Sequence, residues 1–158
     1  MNVGFNFMRL LVDAEGFETK VYNDSAGYPT IGIGHKLTQS ELSSGKILIN
    51  HQPVKYRDGL TTDQVYALAR QDVSWAAECV SKAVNVPLNQ NQFDALCSMV
   101  FNIGGGAFRT STLLRELNLR RYDQVPIQMA RWHWAGGVPH VLDSRRQKEI
   151  KLWNTEVS

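Results

Sequence analysis

The spacing of apolar and turn-forming residues changes near residue 60, and this change constrains the fold more than any other feature. From Lys20 to about Leu60, short extended runs alternate with turn-forming Gly, Asn, Asp and Pro, which is typical of a small β-sheet. Beyond Gly59, apolar residues recur at the three- and four-residue spacing of helices. A separate helix is predicted from Phe7 to Ala14, with Gly16 as its stop.

We therefore predict an α+β protein made of one domain over residues 1–158, with two lobes of unequal size. The small sheet lobe is expected at about 16–60, and the larger helical lobe at 61–158 with helix 5–15 packed on it. No repeat, low-complexity stretch or Pro/Ser-rich linker divides the chain, and its length is that of one ordinary domain. A cleft between two such lobes is a common place for a ligand site.

Capping residues and turn formers predict where the helices of the larger lobe begin. The predicted starts are Thr61 with Gln64 as a capping box, Asn89, Thr110, Asp123 with Pro126, and Asp143 or Ser144. The third of these helices is expected to end near Asn118, and the fourth to run through Trp132 to Gly136. The run Gly104–Gly106 is interpreted as a helix break.

Composition and charge exclude several classes of protein. With 43% apolar and 20% charged residues, the chain is that of a folded protein and not a disordered one. No apolar stretch approaches the roughly 18 residues of a membrane helix, and the N-terminus lacks signal-peptide features, so we expect no membrane insertion.

Residues 1–79 carry 7 basic and 9 acidic side chains, and the remaining residues carry 10 basic and 6 acidic side chains. The basic residues are spread over several helices without a recognised binding motif, so no nucleic-acid partner is predicted.

The densest cluster of chemically useful side chains includes Glu15, Asp24 and Thr30. Glu15 ends the first predicted helix, Asp24 lies in an Asn-Asp-Ser turn, and Thr30 opens the second extended run. Two acids placed in this way can face one another across a gap, as glycoside hydrolysis requires. Thr30 beside Asp24 could help hold a water, which favours an inverting reaction. Spacing alone leaves open that Glu15 is an ordinary surface acid and Asp24 only a turn former.

His35 and Asp72 are predicted to form a pair. Asp72 lies on the apolar face of its helix, where an unpaired carboxylate is unfavourable, and His35 at the end of the Gly-rich run is a suitable partner. We interpret this pair as structural. The remaining histidines, His51, His133 and His140, show none of the usual ligand spacings, so no metal site and no cofactor are expected.

Arg145 and Arg146 stand early in the last predicted helix. Arg146 falls on the apolar face of that helix, so its guanidinium is expected to point inward and to need an acid. The acid is either Glu15 or, in a local pair on the same helix, Glu149.

Several segments together resemble the signature of phage-type lysozymes, the muramidase endolysins of glycoside hydrolase family 24. The pattern of that family is Glu, eight residues, Asp, five residues, Thr, and Glu15, Asp24 and Thr30 match it without a gap. The tract from Gly27 to His35 belongs to the same signature. Further similar segments are 71–73, 99–102 with Gly104, Phe108 with Ser111, 134–137, and Arg145 and Arg146 with Glu149 and Trp153.

The resemblance implies a lysozyme-like fold and hydrolysis, with inversion, of the bond between N-acetylmuramic acid and N-acetylglucosamine in peptidoglycan. It implies that Glu15 is the general acid, that Asp24 positions or activates the water, and that Thr30 assists. The residues that it assigns to the saccharide cleft are Phe101, Asn102 and Ser111.

The resemblance also implies supporting roles. His35 with Asp72, and the arginines Arg145 and Arg146, match residues that support the site, although the two adjacent arginines leave open which one approaches Glu15. Residues 43–59 match no segment of the family, so the shape of the small lobe stays open there.

Three other functions compete with this interpretation. A lytic transglycosylase cleaves the same bond but needs only the acid, so the presence of Asp24 and Thr30 disfavours it. A wall-binding module without activity would be expected to lack Glu15 or Asp24, and both are present. A nucleic-acid binder has the least support.

The expected partner is bacterial peptidoglycan, and the protein is expected to be a monomer. The family resemblance implies that the enzyme accumulates in the host cytoplasm until the membrane is permeabilised, and then acts in the periplasm and on the cell wall. A separate holin would open the membrane.

Overall fold

Helices and short antiparallel strands make up the computed structural model, which describes residues 1–157. The strands are β1 (Glu18–Asn23), β2 (Pro29–Gly32), β3 (His35–Lys36), β4 (Lys46–Ile49) and β5 (Gln52–Lys55). The helices are α1 (Phe5–Glu15), α2 (Gln39–Ser44), α3 (Thr62–Ala83), α4 (Gln90–Ile103), α5 (Gly105–Arg109), α6 (Thr112–Asn118), α7 (Gln124–Ala130) and α8 (Asp143–Trp153). Within residues 1–157, no helix combines the length and the apolar character needed to cross a membrane. The predicted α+β class is confirmed.

The chain divides into two compact units. The sheet unit is Leu11–Ser74, and the helical unit is Met1–Leu10 together with the chain from Trp75 onward. The division falls inside α3 and not near residue 60 as expected from the sequence. The first half of α3 belongs with the sheets because Val65 and Leu68 lie close to the backbone of Gly32 in β2, at 3.7 and 3.8 Å from where a Cβ would stand.

In the sheet unit, β1, β2 and β3 form an antiparallel sheet in that order. Thr30 of β2 pairs with Tyr22 of β1 and with Lys36 of β3. The sequence predicts one extended run from Thr30 to Gly34, but the structure has a strand followed by a tight turn. Gly32 and Gly34 both have φ of +71°, a left-handed conformation that favours glycine, and it reverses the chain so that His35 pairs with Ile31.

Residues 43–59 form mainly a second sheet. Strands β4 and β5 pair in register from Lys46↔Lys55 to Ile49↔Gln52. Their two-residue connection, Asn50-His51, has positive φ at both positions, as a type I′ hairpin turn requires. The segment whose shape the sequence leaves open is therefore mainly an ordinary hairpin.

Side-chain caps set the starts of α3, α4 and α6, whereas α5, α7 and α8 have no side-chain cap hydrogen bond. The predicted caps at Thr61 for α3 and Asn89 for α4 are confirmed, since each accepts a hydrogen bond from the backbone N–H three residues later. Helix α6 starts one residue later than the sequence predicts: Ser111, and not Thr110, caps it by accepting the N–H of Leu114 at 3.1 Å. Helix α5 starts at Gly105, within the glycine run. Helix α7 ends at Ala130, whereas the sequence predicts that it runs through Trp132 to Gly136.

A carboxylate from α4 caps the first helix of the chain. Asp94 accepts hydrogen bonds from the backbone N–H groups of Gly4, at 2.9 Å, and Phe7, at 3.3 Å. These are among the N–H groups that have no partner within a helix. A Cβ on Gly4 would stand 2.9 Å from the Asp94 carboxylate, so a larger residue here would displace that carboxylate. Burial raises the pKa of Asp94, against the effect of these hydrogen bonds.

The interior of the helical unit contains an ion pair. Arg146 and Glu149 of α8 are 1% and 0% exposed, and Arg146 Nη1 donates to Glu149 Oε1 at 2.7 Å. Arg146 Nε donates to the carbonyl oxygen of Trp132 at 2.9 Å, and Nη2 donates to the side chain of Asn102. Ser98 donates to the other oxygen of Glu149 at 2.6 Å. The sequence leaves Glu15 and Glu149 open as partners of Arg146, and the structure shows the pair with Glu149 on the same helix.

The sheet unit has a polar network of its own around His35. The predicted partner Asp72 is confirmed, with its Oδ2 at 2.8 Å from Nδ1, and Glu41 Oε1 lies 2.8 Å from Nε2. Burial of the ring acts to lower the pKa of His35. The hydrogen bonds and negative charges of Asp72 and Glu41 outweigh burial and raise the pKa to about 9. His35 is therefore an imidazolium held between two carboxylates at neutral pH.

We predict that Arg146→Met lowers the free energy of unfolding by about 3 to 5 kcal/mol, because it leaves the Glu149 charge buried beside a thioether. Urea unfolding followed by circular dichroism measures this loss. The double variant Arg146→Met/Glu149→Leu removes both charges and should recover much of it. A single variant as stable as the parent would contradict the prediction.

We predict that the protein loses stability as the pH rises from about 6.5 to about 9. Over this range His35 stays protonated in the folded chain and loses its proton in the unfolded chain, so its contribution, on the order of 3 kcal/mol, is complete below pH 6.5 and is lost as the pH passes 9. Urea unfolding at a series of pH values tests this. In His35→Gln the decline should be absent, and stability at pH 6 should be lower. An equal decline in both proteins would assign it to another group.

Candidate active site

Glu15 is the last residue of α1, and the glycine at position 34 sets its surroundings. Gly16 follows with φ of +81°, which ends the helix. A Cβ on Gly34 would lie 2.9 Å from both the Cβ and the Oε2 of Glu15. The turn between β2 and β3 therefore passes directly against the Glu15 side chain, and only glycine allows this approach.

Backbone amides hold Asp24 in the turn after β1. Its Oδ1 accepts hydrogen bonds from the N–H groups of Ala26 and Tyr28, both at 2.9 Å, and Lys36 Nζ lies 3.7 Å from Oδ2. The hydrogen bond from Tyr28 is the largest influence on the pKa of Asp24. It acts with Ala26 and Lys36 to lower this pKa against slight desolvation. Asp24 is therefore ionised at neutral pH, with an orientation set by the turn.

Thr30 shares a backbone group with Asp24. Its side chain is buried, at 2% exposure, and its hydroxyl donates to the carbonyl oxygen of Tyr28 at 2.9 Å. The same carbonyl accepts the backbone N–H of Asp24 at 2.9 Å. Because the Thr30 proton is used in this way, the hydroxyl oxygen faces any further partner as an acceptor.

Tyr22 of β1 is influenced by both acids. Burial, followed by the negative charges of Glu18, Glu15 and Asp24, raises the pKa of the Tyr22 phenol. The phenol is therefore neutral at physiological pH, and Glu15 and Asp24 lie within electrostatic reach of one side chain. The sheet unit thus combines a carboxyl group at a helix end, an ionised carboxylate on a rigid turn and a buried acceptor hydroxyl.

The residues expected to bind saccharide lie in the helical unit. Phe101 of α4 contacts the ring of Trp75, with ring centroids 5.9 Å apart. Asn102 is exposed, and its Oδ1 accepts the hydrogen bond from Arg146. Ser111 caps α6 and also donates to the carbonyl oxygen of Phe108 at 2.7 Å.

Arg145 contacts the same carboxylate as Arg146. Its Nε lies 3.5 Å from Glu149 Oε2, and its Nη2 donates to the carbonyl oxygen of Ser98 at 3.4 Å. Both arginines therefore take part in the network that α8 makes with α4.

Two features of the sheet unit were missed from the sequence. Glu41 is the second carboxylate at His35, and it also accepts the backbone N–H of Thr38, where the two form a capping box. The spacing of Thr38 and Glu41 is a capping signal that would have placed Glu41 at the start of a helix. The contact of Gly34 with Glu15 has no such local signal.

Three potential metal ligands lie close together in the helical unit, although the spacing of the histidines in the sequence predicts no metal site. His133, His140 and Asp143 each offer a ligand atom, and these atoms lie within 4.8 Å of one another. Spacing alone therefore does not exclude a metal site, because a tight turn between the two histidines brings them together.

Comparisons with known proteins point to one family. The family model described as phage lysozyme matches residues 12–149, which include Glu15, Asp24 and Thr30. The endolysin of Salmonella phage P22 is 39% identical over 155 residues, which covers 97% of this chain and 98% of that protein.

Two solved structures that resemble this chain are also those of a phage lysozyme and a phage endolysin. A crystal structure of a mutant P22 lysozyme has a TM-score of 0.81 at 38% identity, covering 98% of this chain and 99% of the other. The endolysin of Escherichia coli O157:H7 phage FAHEc1 has a TM-score of 0.76 at 30% identity, covering 99% and 96%. The predicted lysozyme-like fold is therefore confirmed, and the chain belongs to the phage lysozyme family.

Proposed function

We propose that Glu15, Asp24 and Thr30 carry the reaction of this lysozyme. The enzyme is a muramidase that hydrolyses the β-1,4 bond between N-acetylmuramic acid and N-acetylglucosamine in peptidoglycan, and it serves the release of phage from the host. The observation that carries the assignment of residues is the shared Tyr28 backbone, which holds an ionised carboxylate and an acceptor hydroxyl side by side.

In this proposal Glu15 is the general acid. Its carboxyl group donates a proton to the glycosidic oxygen as the bond between that oxygen and the anomeric carbon breaks. The leaving sugar departs as an alcohol, and positive charge develops on the remaining ring. The close approach of Gly34 supports this role, because it limits the positions open to the Glu15 side chain.

Asp24 and Thr30 would serve the water that attacks from the opposite face. That water donates one hydrogen bond to Asp24 and the other to the Thr30 oxygen, whose own proton goes to the Tyr28 carbonyl. As the water attacks, Asp24 takes the first of these protons, and the second stays on the new hydroxyl group. The water lone pair is then directed at the anomeric carbon. Attack opposite to the leaving group inverts the configuration at that carbon.

Phe101, Asn102 and Ser111 would contact the saccharide in different ways. Because Arg146 occupies the Asn102 carbonyl oxygen, the amide NH₂ remains to donate to a sugar hydroxyl or acetamido oxygen. Ser111 uses its proton and one lone pair within α5 and α6, so its contribution is chiefly shape. Phe101 offers an apolar face to a sugar ring.

We predict that Glu15→Gln lowers the turnover of purified peptidoglycan by about 100- to 10,000-fold, since glutamine cannot donate the proton. Mass analysis of the digest should show reducing muropeptides from the parent. Asp13→Asn is the matched control: it removes an exposed acid from the same helix and should leave turnover unchanged. Full activity of Glu15→Gln would contradict the role of Glu15.

The same digest tests Asp24 and Thr30. Asp24→Asn should also lower turnover strongly, and Thr30→Val less so, because the water would keep one of its two acceptors. NMR of a short chitin or muropeptide substrate should show the α-anomer released first. Anhydro products would identify a lytic transglycosylase and leave Asp24 without its proposed role.

Access to the wall would depend on a separate holin. Peptidoglycan lies outside the cytoplasmic membrane, and the family resemblance supports a monomeric enzyme that stays in the host cytoplasm until the membrane is opened. It would then act in the periplasm and on the cell wall.

We predict that expression of the chain alone leaves a bacterial culture intact, and that chloroform added to open the membrane causes rapid lysis. The fall in optical density measures both. Glu15→Gln should give no lysis after chloroform, which separates wall hydrolysis from membrane damage. Lysis on expression alone would show that the enzyme reaches the wall unaided.

A further inference from the structure

The segment between α7 and α8 brings three potential metal ligands together. The backbone N–H of His140 donates to Nδ1 of His133 at 2.9 Å, and His140 Nδ1 lies 2.9 Å from Asp143 Oδ2. The two imidazole rings stack with centroids 4.5 Å apart and planes at 9°. Asp143 is the first residue of α8, so the cluster links the turn to the start of that helix.

The backbone holds the two histidines at the ends of a closed turn. Ala135 and Val138 exchange backbone hydrogen bonds at 3.1 and 3.0 Å, with Gly136 and Gly137 in left-handed conformations between them. The N–H of Leu142 donates to the carbonyl oxygen of His133 at 3.0 Å. The main chain therefore keeps the two histidines close together, and their stacked rings would have to rotate for both to direct a nitrogen at one cation.

We propose that His133, His140 and Asp143 form a surface site for Zn²⁺. Two imidazole nitrogens and one carboxylate oxygen are a donor set that suits zinc and neighbouring transition metals, whereas Ca²⁺ and Mg²⁺ prefer oxygen ligands. Three protein ligands leave the fourth tetrahedral position to water. The cluster lies outside the residues assigned to wall hydrolysis, so the proposal does not depend on the proposed mechanism.

The cation would lie between His140 Nδ1 and Asp143 Oδ2 in place of the hydrogen bond, with the ring hydrogen of His140 on Nε2. Two ligands of one tetrahedral zinc lie roughly 3.3 Å apart. The present separation of 2.9 Å between His140 Nδ1 and Asp143 Oδ2 needs to widen by only a few tenths of an ångström. His133 must release the N–H of His140, which is exposed to water and can bond to water instead.

Zinc bound here would link the turn that carries His133 and His140 to the first residue of α8. That helix carries the buried pair of Arg146 and Glu149, so binding should stabilise the helical unit by preferring the folded chain. Trp134 reports on the site directly, because its indole stacks on the His133 ring with centroids 5.3 Å apart and is 56% exposed.

Zinc titration by calorimetry of the untagged, chelator-treated protein tests the site. The parent should bind one Zn²⁺ per chain, and its thermal midpoint should rise with zinc. His140→Ala and Asp143→Asn should each weaken binding by at least about tenfold, because each removes a ligand. Cu²⁺ should quench tryptophan fluorescence in the parent, and Trp134→Phe should remove most of that quenching.

The control is His51→Ala, which removes an exposed histidine from the β4–β5 turn of the sheet unit and should bind zinc like the parent. His140→Ala and Asp143→Asn change exposed or half-buried side chains, and circular dichroism in the absence of zinc checks that both remain folded. The proposal is overturned if the folded parent binds no zinc at millimolar concentration. It is equally overturned if zinc affinity depends on His51 and not on the three residues.

Discussion

A buried ion pair constrains how the helical unit packs. Arg146 and Glu149 are close to fully buried, and their remaining polar atoms are used by Ser98 and Asn102 of α4 and by the carbonyl oxygen of Trp132. Because an isolated buried charge is strongly unfavourable, each of these partners must be in place for α8 to pack on α4. Asn102, which we propose contacts the saccharide, is a member of the network, so its amide orientation follows from the packing of the interior.

The site in the sheet unit depends instead on the main chain. Asp24 is oriented by two backbone N–H groups, Thr30 by a backbone carbonyl, and Glu15 by the close passage of Gly34. Main-chain groups in a tight turn and a short sheet have few alternative positions. The water in our proposal needs two acceptors at fixed positions, and side chains that a rigid backbone holds keep those positions better than mobile side chains would.

Features that depend on neighbours in the chain could be predicted from the sequence. The end of α1 at Glu15, the caps at Thr61 and Asn89 and the spacing of Glu15, Asp24 and Thr30 are of this kind, since capping and turn formation act over a few residues. The extended run through Gly34 was predicted wrongly, because two glycines allow a reversal that extended-run composition does not reveal. The cap of α6 shifted from Thr110 to Ser111, since either hydroxyl satisfies the local pattern.

The sequence by itself determined the α+β class, the family and the residues that match its catalytic pattern, because these depend on periodicity and on spacing along the chain. Only the tertiary structure decided that Arg146 pairs with Glu149, that Glu41 is a second carboxylate on His35, and that His133, His140 and Asp143 meet. Each of these contacts depends on how a turn closes or how helices pack. Several partners are compatible with the same local pattern, and packing selects one of them.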